Sequence, residues 1–231
     1  MKRLCVSACL LGVPCRWKGD AKPCEAVQRL AEHAVVRALD PATRKALEKH
    51  HAEFAEFEDR DGSTSRPFES GRAVSASPPA RPRIELVPFC PELAAGLGCP
   101  RPPIELVQGE GSPPSTASTV QPRGLAPIRV LRVDRKGDAT DALLAACEAE
   151  ADTLARTGGV DGFLLKSRSP SCGLASPLHD AAGREIGSAP GLWAALARER
   201  FPDADFQDEN PSVMANDSPQ PSIRRLSVPR S

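Results

Sequence analysis

The sequence predicts an α/β fold, in which a Rossmann-like, largely parallel sheet is flanked by helices in a three-layer sandwich. Short apolar runs alternate with segments of helical periodicity, which is the pattern of a parallel sheet with helical crossovers. Hydrophobic residues make up 40% of the chain and aromatic residues only 4%, so the chain can bury a core that is mainly aliphatic. Three of the apolar runs end at loops that carry a cysteine.

The strands and helices are predicted from these runs and their flanking residues. Strands are expected at residues 3–8, 84–89, 104–107, 128–133 and 162–166. Helices are expected at residues 23–33, 138–156 and 190–200, where apolar residues recur at helical spacing. Because strands and helices alternate, the connections between parallel strands can be made by helical crossovers.

Two segments differ in composition from the rest of the chain. Residues 39–82 read as an insertion, with a charged, helix-prone part at 40–58 and a part rich in Ser, Pro, Arg and Gly at 62–82 that predicts disorder. The end of the chain is polar and rich in proline. The sequence therefore predicts one domain over 1–208, interrupted at about 39–82, and a flexible tail over 209–231.

Charge and hydropathy exclude some classes of protein. The 30 basic and 30 acidic residues balance, which argues against a nucleic-acid binder that works through a broad basic face. No stretch approaches the about 20 apolar residues of a membrane span. Eight cysteines in a long chain without a secretory pattern favour free thiols in the cytoplasm over a disulfide framework. Oligomeric state is not predicted.

Three cysteines stand at the ends of predicted strands. Cys9, Cys90 and Cys172 are about 80 residues apart in sequence, and each lies in a loop with neighbouring Gly or Pro. Ligands of parallel sheets bind beyond the carboxyl ends of the strands. We therefore expect the three cysteines to meet at one edge of the sheet.

The cysteine pattern favours an iron–sulfur cluster over zinc. Structural zinc sites use four ligands, commonly in short-range pairs, and this chain contains no Cys-x-x-Cys. Three isolated thiolates better suit a cubane cluster with one open iron, which can act as a Lewis acid. Plain burial is the alternative for these cysteines, and it is the expectation for Cys5 and Cys147. The remaining cysteines could lie near the site as supporting or redox-sensitive thiols: Cys15, Cys24 and Cys99.

Four motifs resemble those of a family of small bacterial iron–sulfur proteins, the thiouracil desulfidase-like family, formerly catalogued as a domain of unknown function. They are Val-Ser-Ala-Cys at 6–9, Cys-Pro-Glu at 90–92, Pro-Arg-Pro-Pro at 100–103 and Ser-Pro-Ser-Cys-Gly at 169–173. The resemblance covers roughly residues 3–35 and 84–208. Trp17 stands where the family usually has Tyr, and the predicted insertion and tail are further departures.

The resemblance implies a [4Fe–4S] cluster held by Cys9, Cys90 and Cys172. It implies removal of sulfur from a thiolated pyrimidine or similar thioamide, in which C=S becomes C=O without net redox change. On that picture the open iron takes the sulfur, Glu92 activates water or moves protons, and Ser169 is a second proton-handling group.

Several assignments keep alternatives. Glu92 could instead favour the dipole of a helix beginning at Pro91, and Ser169 could be a turn residue before Pro170. Four further polar residues are candidates for binding the substrate: Ser7, Arg16, Arg101 and Lys166. The alternative function is a non-catalytic iron–sulfur accessory or sensor protein.

Overall fold

A computed structural model describes residues 1–39, 43–45, 47–48, 84–109 and 128–209 of the chain. The strands are β1 (Lys2–Ser7), β2 (Val35–Val36), β3 (Ile84–Phe89), β4 (Ile104–Gln108), β5 (Ile128–Arg132), β6 (Gly162–Leu165), β7 (Ser176–His179), β8 (Glu185–Ala189) and β9 (Asp205–Asp208). The α-helices are α1 (Glu25–Ala31), α2 (Pro91–Ala94), α3 (Thr140–Arg156) and α4 (Leu192–Arg200). A short 3-10 turn, Ala8–Leu11, follows β1 directly.

Five strands form a parallel sheet in the order β2-β3-β1-β6-β9. All four pairings in this sheet are parallel. The first strand of the chain is thus its central strand, and Ser7 at the end of β1 lies opposite Phe89 at the end of β3. The predicted α/β fold with a parallel sheet flanked by helices is confirmed.

Both faces of this sheet are buried. Along β1, Leu4 and Val6 pack on the face covered by α1, whereas Cys5 packs on the face covered by α3 and α4. Successive side chains of a strand point to opposite faces, so a strand covered on both sides reads as a continuous apolar run. This burial explains why β1, β3 and β6 appear in the sequence as apolar runs. The helices on both faces of the sheet give the three layers that were expected.

Four strands form a second, mixed sheet in the order β5-β4-β7-β8. The strands predicted near 104 and 128 exist, but they belong to this sheet and pair with each other antiparallel. Helix α3 lies between the two sheets. Its Leu143 packs in the core of the second sheet, while Cys147 and Leu154 pack in the core of the first.

Most of the predicted insertion and tail lies outside the described residues, including the segment 62–82 expected to be disordered. Within the insertion, residues 43–45 and 47–48 are helical. The Leu47 side chain is buried and packs in the same core as Val27 of α1. That part of the insertion therefore contributes to the fold. Among the described helices, none is long and apolar enough to cross a membrane.

Candidate active site

The three predicted ligand cysteines lie together beyond the carboxyl ends of three neighbouring parallel strands. Cys9 is in the 3-10 turn after β1, Cys90 follows β3 directly as the N-cap of α2, and Cys172 is in the loop after β6. All three line one cavity of about 330 Å³ and are less than a tenth exposed. The strand order β3-β1-β6 brings them to one edge of the sheet.

The other predicted site residues line the same cavity. The six residues are Ser7, Arg16, Glu92, Arg101, Lys166 and Ser169. They come from four separate stretches of the chain, and the two peptides that follow β1 and β6 supply three of them. The structure therefore brings all nine predicted residues to one cavity. The contacts that each residue makes there differ.

Cys15, which the sequence indicated only as a possible supporting thiol, is a fourth thiol in the cavity wall. The loop after β1 turns at Gly12, which has a positive φ of 97°, and returns to the 3-10 turn through a hydrogen bond from Lys22 N to Cys9 O of 3.1 Å. This path places the Cys15 thiol, 2% exposed, in hydrogen-bond contact with the thiols of Cys9 and Cys90.

Cys24 and Cys99, the other two cysteines that could have supported the site, do not line this cavity. Cys24 is the N-cap of α1 and is only partly buried. The Cys99 thiol donates to Pro14 O at 3.1 Å, so it ties the loop of Cys15 to the segment that follows α2. Cys5 and Cys147 are fully buried in the core, as expected.

The surroundings of Cys9 favour its thiolate. Its hydrogen bond with Cys15 lowers the pKa of Cys9; burial opposes this effect, and the nearby charges of Lys166 and Arg16 lower the pKa further. Burial instead raises the pKa of Cys172 far above its ordinary value, although a hydrogen bond from Ser7 works in the other direction. A cationic metal centre would compensate for this burial, because metal ligation requires the deprotonated thiol.

Ser7 is engaged inside the protein. Its hydroxyl oxygen accepts a hydrogen bond of 3.0 Å from Lys166 N, and it also contacts the Cys172 sulfur. Ser7 thereby connects the ends of β1 and β6 beneath the cavity. The substrate contact predicted for Ser7 would compete with these two contacts.

Glu92 lies in the first turn of α2 and forms a buried ion pair with Arg101. The Glu92 Oε2 atom accepts from Arg101 Nε at 2.8 Å and from Nη2 at 2.6 Å. Arg101 also donates to Gly98 O at 2.8 Å and to Cys15 O at 3.0 Å. Burial opposes the charge of Arg101, yet the pKa of Arg101 is raised overall, and the Glu92 carboxylate is the first of the causes that raise it. These contacts make Arg101 a support for Glu92.

Ser171, which was not among the predicted site residues, connects the two predicted catalytic residues. Its hydroxyl donates to Glu92 Oε1 at 2.7 Å and lies 3.1 Å from the Ser169 hydroxyl. Ser169 Oγ in turn accepts from Cys172 N at 3.1 Å. Ser171 is 1% exposed, whereas Ser169 is only partly buried. The Ser171 hydroxyl therefore links the Glu92 carboxylate to the Ser169 hydroxyl through two hydrogen bonds.

Glu209, the first residue of the predicted tail, reaches the same loop. Its carboxylate forms an ion pair with Lys166 and accepts from Ser167 N at 2.6 Å. Burial raises the pKa of Glu209, but the hydrogen bonds from Lys166 and Ser167 outweigh it and lower the pKa. No local pattern in the sequence signals this contact, because β9, which delivers Glu209, is short and polar.

The rim of the cavity carries the exposed Trp17 ring and two cations, Arg16 and Arg168. Trp17 is 39% exposed, and Lys18 Nζ lies 4.9 Å from its ring centroid. Arg16 is paired with Asp20 at 2.7 Å. Arg168 is exposed and has a positive φ of 55°, a backbone conformation that is uncommon for residues other than glycine. Arg168 was not among the predicted site residues.

The donor set suits a cluster better than a single ion. Within the part of the chain that the structure describes, no three His, Cys, Asp or Glu side chains converge on a point where one metal ion could sit. A cubane cluster has its irons at separate corners, so its ligands surround a volume instead of meeting at a point. Buried thiols around a cavity of about 330 Å³ fit such a cluster, and the cations beside them favour the negative charge of its thiolate ligands.

Comparison with known proteins adds two findings. The chain is similar over 90% of its length to the solved structure of the [4Fe–4S]-dependent thiouracil desulfidase TudS, of which 91% is covered, at 23% identity and a TM-score of 0.46. A comparison with curated proteins found no match. The family model for 2-thiouracil desulfurase matches residues 69–209, more than half of the chain, and this region contains Cys90, Cys172, Glu92 and Ser169. The chain therefore belongs to the 2-thiouracil desulfurase family.

Proposed function

We propose that this protein is an iron–sulfur-dependent desulfidase that converts the thiocarbonyl of a small thiolated pyrimidine to a carbonyl and releases sulfide. One observation carries the proposal. In a member of the 2-thiouracil desulfurase family, three buried cysteines share a cavity with a carboxylate and two linked hydroxyls. Thiols could hold the metal, and the carboxylate and hydroxyls could handle the protons of a hydrolysis.

Cys9, Cys90 and Cys172 would hold a [4Fe–4S] cluster and leave one iron without a protein ligand. When bound, the cluster supplies a Lewis acid that attracts the thiocarbonyl sulfur. The chain contributes positive charge beside it, since Lys166 and Arg16 both act on Cys9. Ser7 supports the Cys172 sulfur by a hydrogen bond, a type of contact that tunes clusters in proteins.

The overall reaction consumes one water and produces one hydrogen sulfide for each thiocarbonyl converted, with no electron transferred. Glu92 is the proposed base, because its carboxylate is held in the cavity wall by Arg101 and is linked to hydroxyls that face the cavity. It takes a proton from the attacking water and returns a proton to the departing sulfur. Ser169, the more exposed of the two linked hydroxyls, orients the water.

The rim and the size of the cavity support a planar, base-sized substrate. The half-exposed Trp17 ring offers a surface on which a pyrimidine can stack, and such stacking contributes about 1–3 kcal/mol per base. A volume of about 330 Å³ is small for a ligand site, and the cluster must share it. Both observations favour a free thionucleobase over an acyclic thioamide or a nucleotide.

A reducing compartment suits this site. All eight cysteines of the chain are free, and four of them line one cavity, where an oxidising environment would pair them. We propose the cytoplasm as the location on this ground.

Anaerobic isolation of the full chain tests the function. Iron and acid-labile sulfide are quantified first, and the loaded protein is then given 2-thiouracil. We expect about four irons and four sulfides per chain, with uracil and sulfide released in equal amounts over many turnovers. Loaded protein that releases neither product would contradict the enzyme and favour the accessory or sensor role. Protein that turns over without iron would contradict the cluster.

A further inference from the structure

We propose that Ser171 is the relay through which Glu92 exchanges protons with Ser169 at the substrate. The inference rests on the proposed desulfidase function and adds a residue to its machinery. Ser171 is a positioning and relay residue, buried behind the hydroxyl that it serves. The three side chains form one continuous chain of hydrogen bonds in the cavity wall.

The contacts of Glu92 give it a hydrogen-bonded path to Ser169. Its Oε2 atom is held by two nitrogens of Arg101, and its Oε1 atom accepts the Ser171 hydroxyl at 2.7 Å. Each carboxylate oxygen therefore already accepts a hydrogen bond from a protein group. Ser169 lies 3.1 Å from Ser171 and is the more exposed of the two serines. A proton that passes between Ser169 and Glu92 along these contacts must cross Ser171.

The loop that carries both serines is held in place by close backbone packing. A Cβ atom at Gly191 would lie 2.7 Å from the Ser171 carbonyl carbon, and one at Gly173 would lie 2.9 Å from Ser169 N. Trp193 N also donates to Ser171 O at 2.8 Å. Glycines at these two positions let the chain pack against the loop, which fixes the serine hydroxyls without help from a ligand.

The proton transfer balances in both directions. Water gives a proton to Ser169 Oγ, Ser169 gives its own to Ser171 Oγ, and Ser171 gives its own to Glu92 Oε1. Each serine ends with one proton as before, Glu92 becomes a neutral acid, and the hydroxide equivalent bonds to the thiocarbonyl carbon. The reverse sequence returns this proton from Glu92 to the sulfur as the carbon–sulfur bond breaks, and the carboxylate is restored. The proton that remains on the carbon-bound hydroxyl leaves to solvent as the carbonyl forms, so the products are one carbonyl, one hydrosulfide and one proton, which together equal the carbonyl and one hydrogen sulfide.

A double-mutant cycle on the cluster-loaded full chain tests the relay. Ser171→Ala and Ser169→Ala are each expected to lower kcat on 2-thiouracil by about 100-fold or more, the usual contribution of general acid–base catalysis. Residues that act as one unit do not add, so the double variant should lose no more than either single variant. Ser188→Ala, an exposed serine on β8, is the matched control and should keep the wild-type rate.

Iron content and a loaded structure complete the test. All four variants should keep the wild-type iron and sulfide content; loss of iron in Ser171→Ala would overturn the relay, because Ser171 would then act on Cys172, 3.8 Å away. Wild-type kcat in Ser171→Ala, or additive losses in the double variant, would also overturn it. So would a crystal structure of the loaded chain in which the Ser171 hydroxyl contacts only one of its two partners. Loaded wild-type protein that releases no sulfide contradicts the proposed function instead.

Discussion

Cys15 has the same burial as the three proposed ligands but a different environment. It lies in hydrogen-bond contact with two of them, so it sits between Cys9 and Cys90 in the wall. A thiol in this position can support the thiolates of its neighbours without binding iron. The sequence could not separate Cys15 from Cys24 and Cys99, because all three lie in loops and only the folding of the loop after β1 brings one of them to the cavity.

Single substitutions should separate ligands from supporting thiols. Cys9→Ala, Cys90→Ala and Cys172→Ala are each expected to abolish the visible absorbance of the cluster, since each removes one of its three proposed thiolate ligands. Cys15→Ala should retain the iron, with an altered reduction potential from the lost hydrogen bonds. Cys24→Ala, outside the cavity, is the control. Full iron in a Cys9, Cys90 or Cys172 variant, or none in Cys15→Ala, would show that the ligand set is different.

Arg101 is expected to be among the most sensitive positions for stability. Arg101→Ala leaves the Glu92 carboxylate, whose side chain is 13% exposed, without its counter-charge. Removing one partner of a buried ion pair costs about 3–5 kcal/mol, which urea unfolding of the cluster-free chain can measure. Arg200→Ala removes a pair with Asp152 in which both side chains are about half exposed, and should cost less than about 1 kcal/mol. Equal losses in the two variants would contradict the buried pair.

At the level of elements, the sequence predicted five strands that exist in the structure, and three of them are buried on both faces. β1, β3 and β6 appear as apolar runs, and their ends located Cys9, Cys90 and Cys172. β8 is mostly exposed and β9 begins and ends with Asp, so neither has a pattern of its own. They are strands because β7 and β6 pair with them, which is information from distant parts of the chain. Glu209 was missed for the same reason, whereas Ser171 lay inside a recognised motif.

The contact between Glu209 and the loop after β6 predicts a pH-dependent contribution to stability. A carboxyl whose pKa is lowered by folding stabilises the protein above its unfolded pKa of about 4.3, and this contribution is lost as pH falls through the lower folded value. Glu209→Gln should therefore be less stable than wild type at neutral pH, by about 1.5 kcal/mol or more for hydrogen bonds to a charged group.

The difference in unfolding free energy between Glu209→Gln and wild type should shrink as the pH is lowered below about 4.3, when the wild-type carboxyl takes up its proton. Urea unfolding of the cluster-free chain across this range measures it. Glu185→Gln, an exposed carboxyl on β8, controls for the general loss of charge. A difference that does not change with pH would show that the ion pair with Lys166 contributes nothing.

For the molecule as a whole, α3 joins the two sheets into one unit. Leu143 and Leu154 lie on this helix and are both fully buried, but they pack in different cores. Both sheets contribute to the cavity, since Ile104 at the start of β4 lines it together with residues that follow the strands of the parallel sheet.

The shared helix predicts a single unfolding transition. Leu143→Ala and Leu154→Ala should each destabilise the protein by about 2–5 kcal/mol, and both should shift the same transition. Fluorescence of the buried Trp193, in a Trp17→Phe background, reports on the first core, and far-UV circular dichroism reports on both sheets. If Leu143→Ala shifted the dichroism without shifting the fluorescence, the sheets would unfold separately.

The central position of β1 also has a consequence for synthesis. β1 is synthesised before both of its neighbours, and one of them, β6, begins only at Gly162. Until then the nascent chain carries an apolar strand with an unpaired edge, which is prone to aggregate. Truncated chains that stop before β6 should therefore bind chaperones or precipitate. Because Cys172 follows β6, a cluster held by the three proposed cysteines could be loaded only after translation has passed this point.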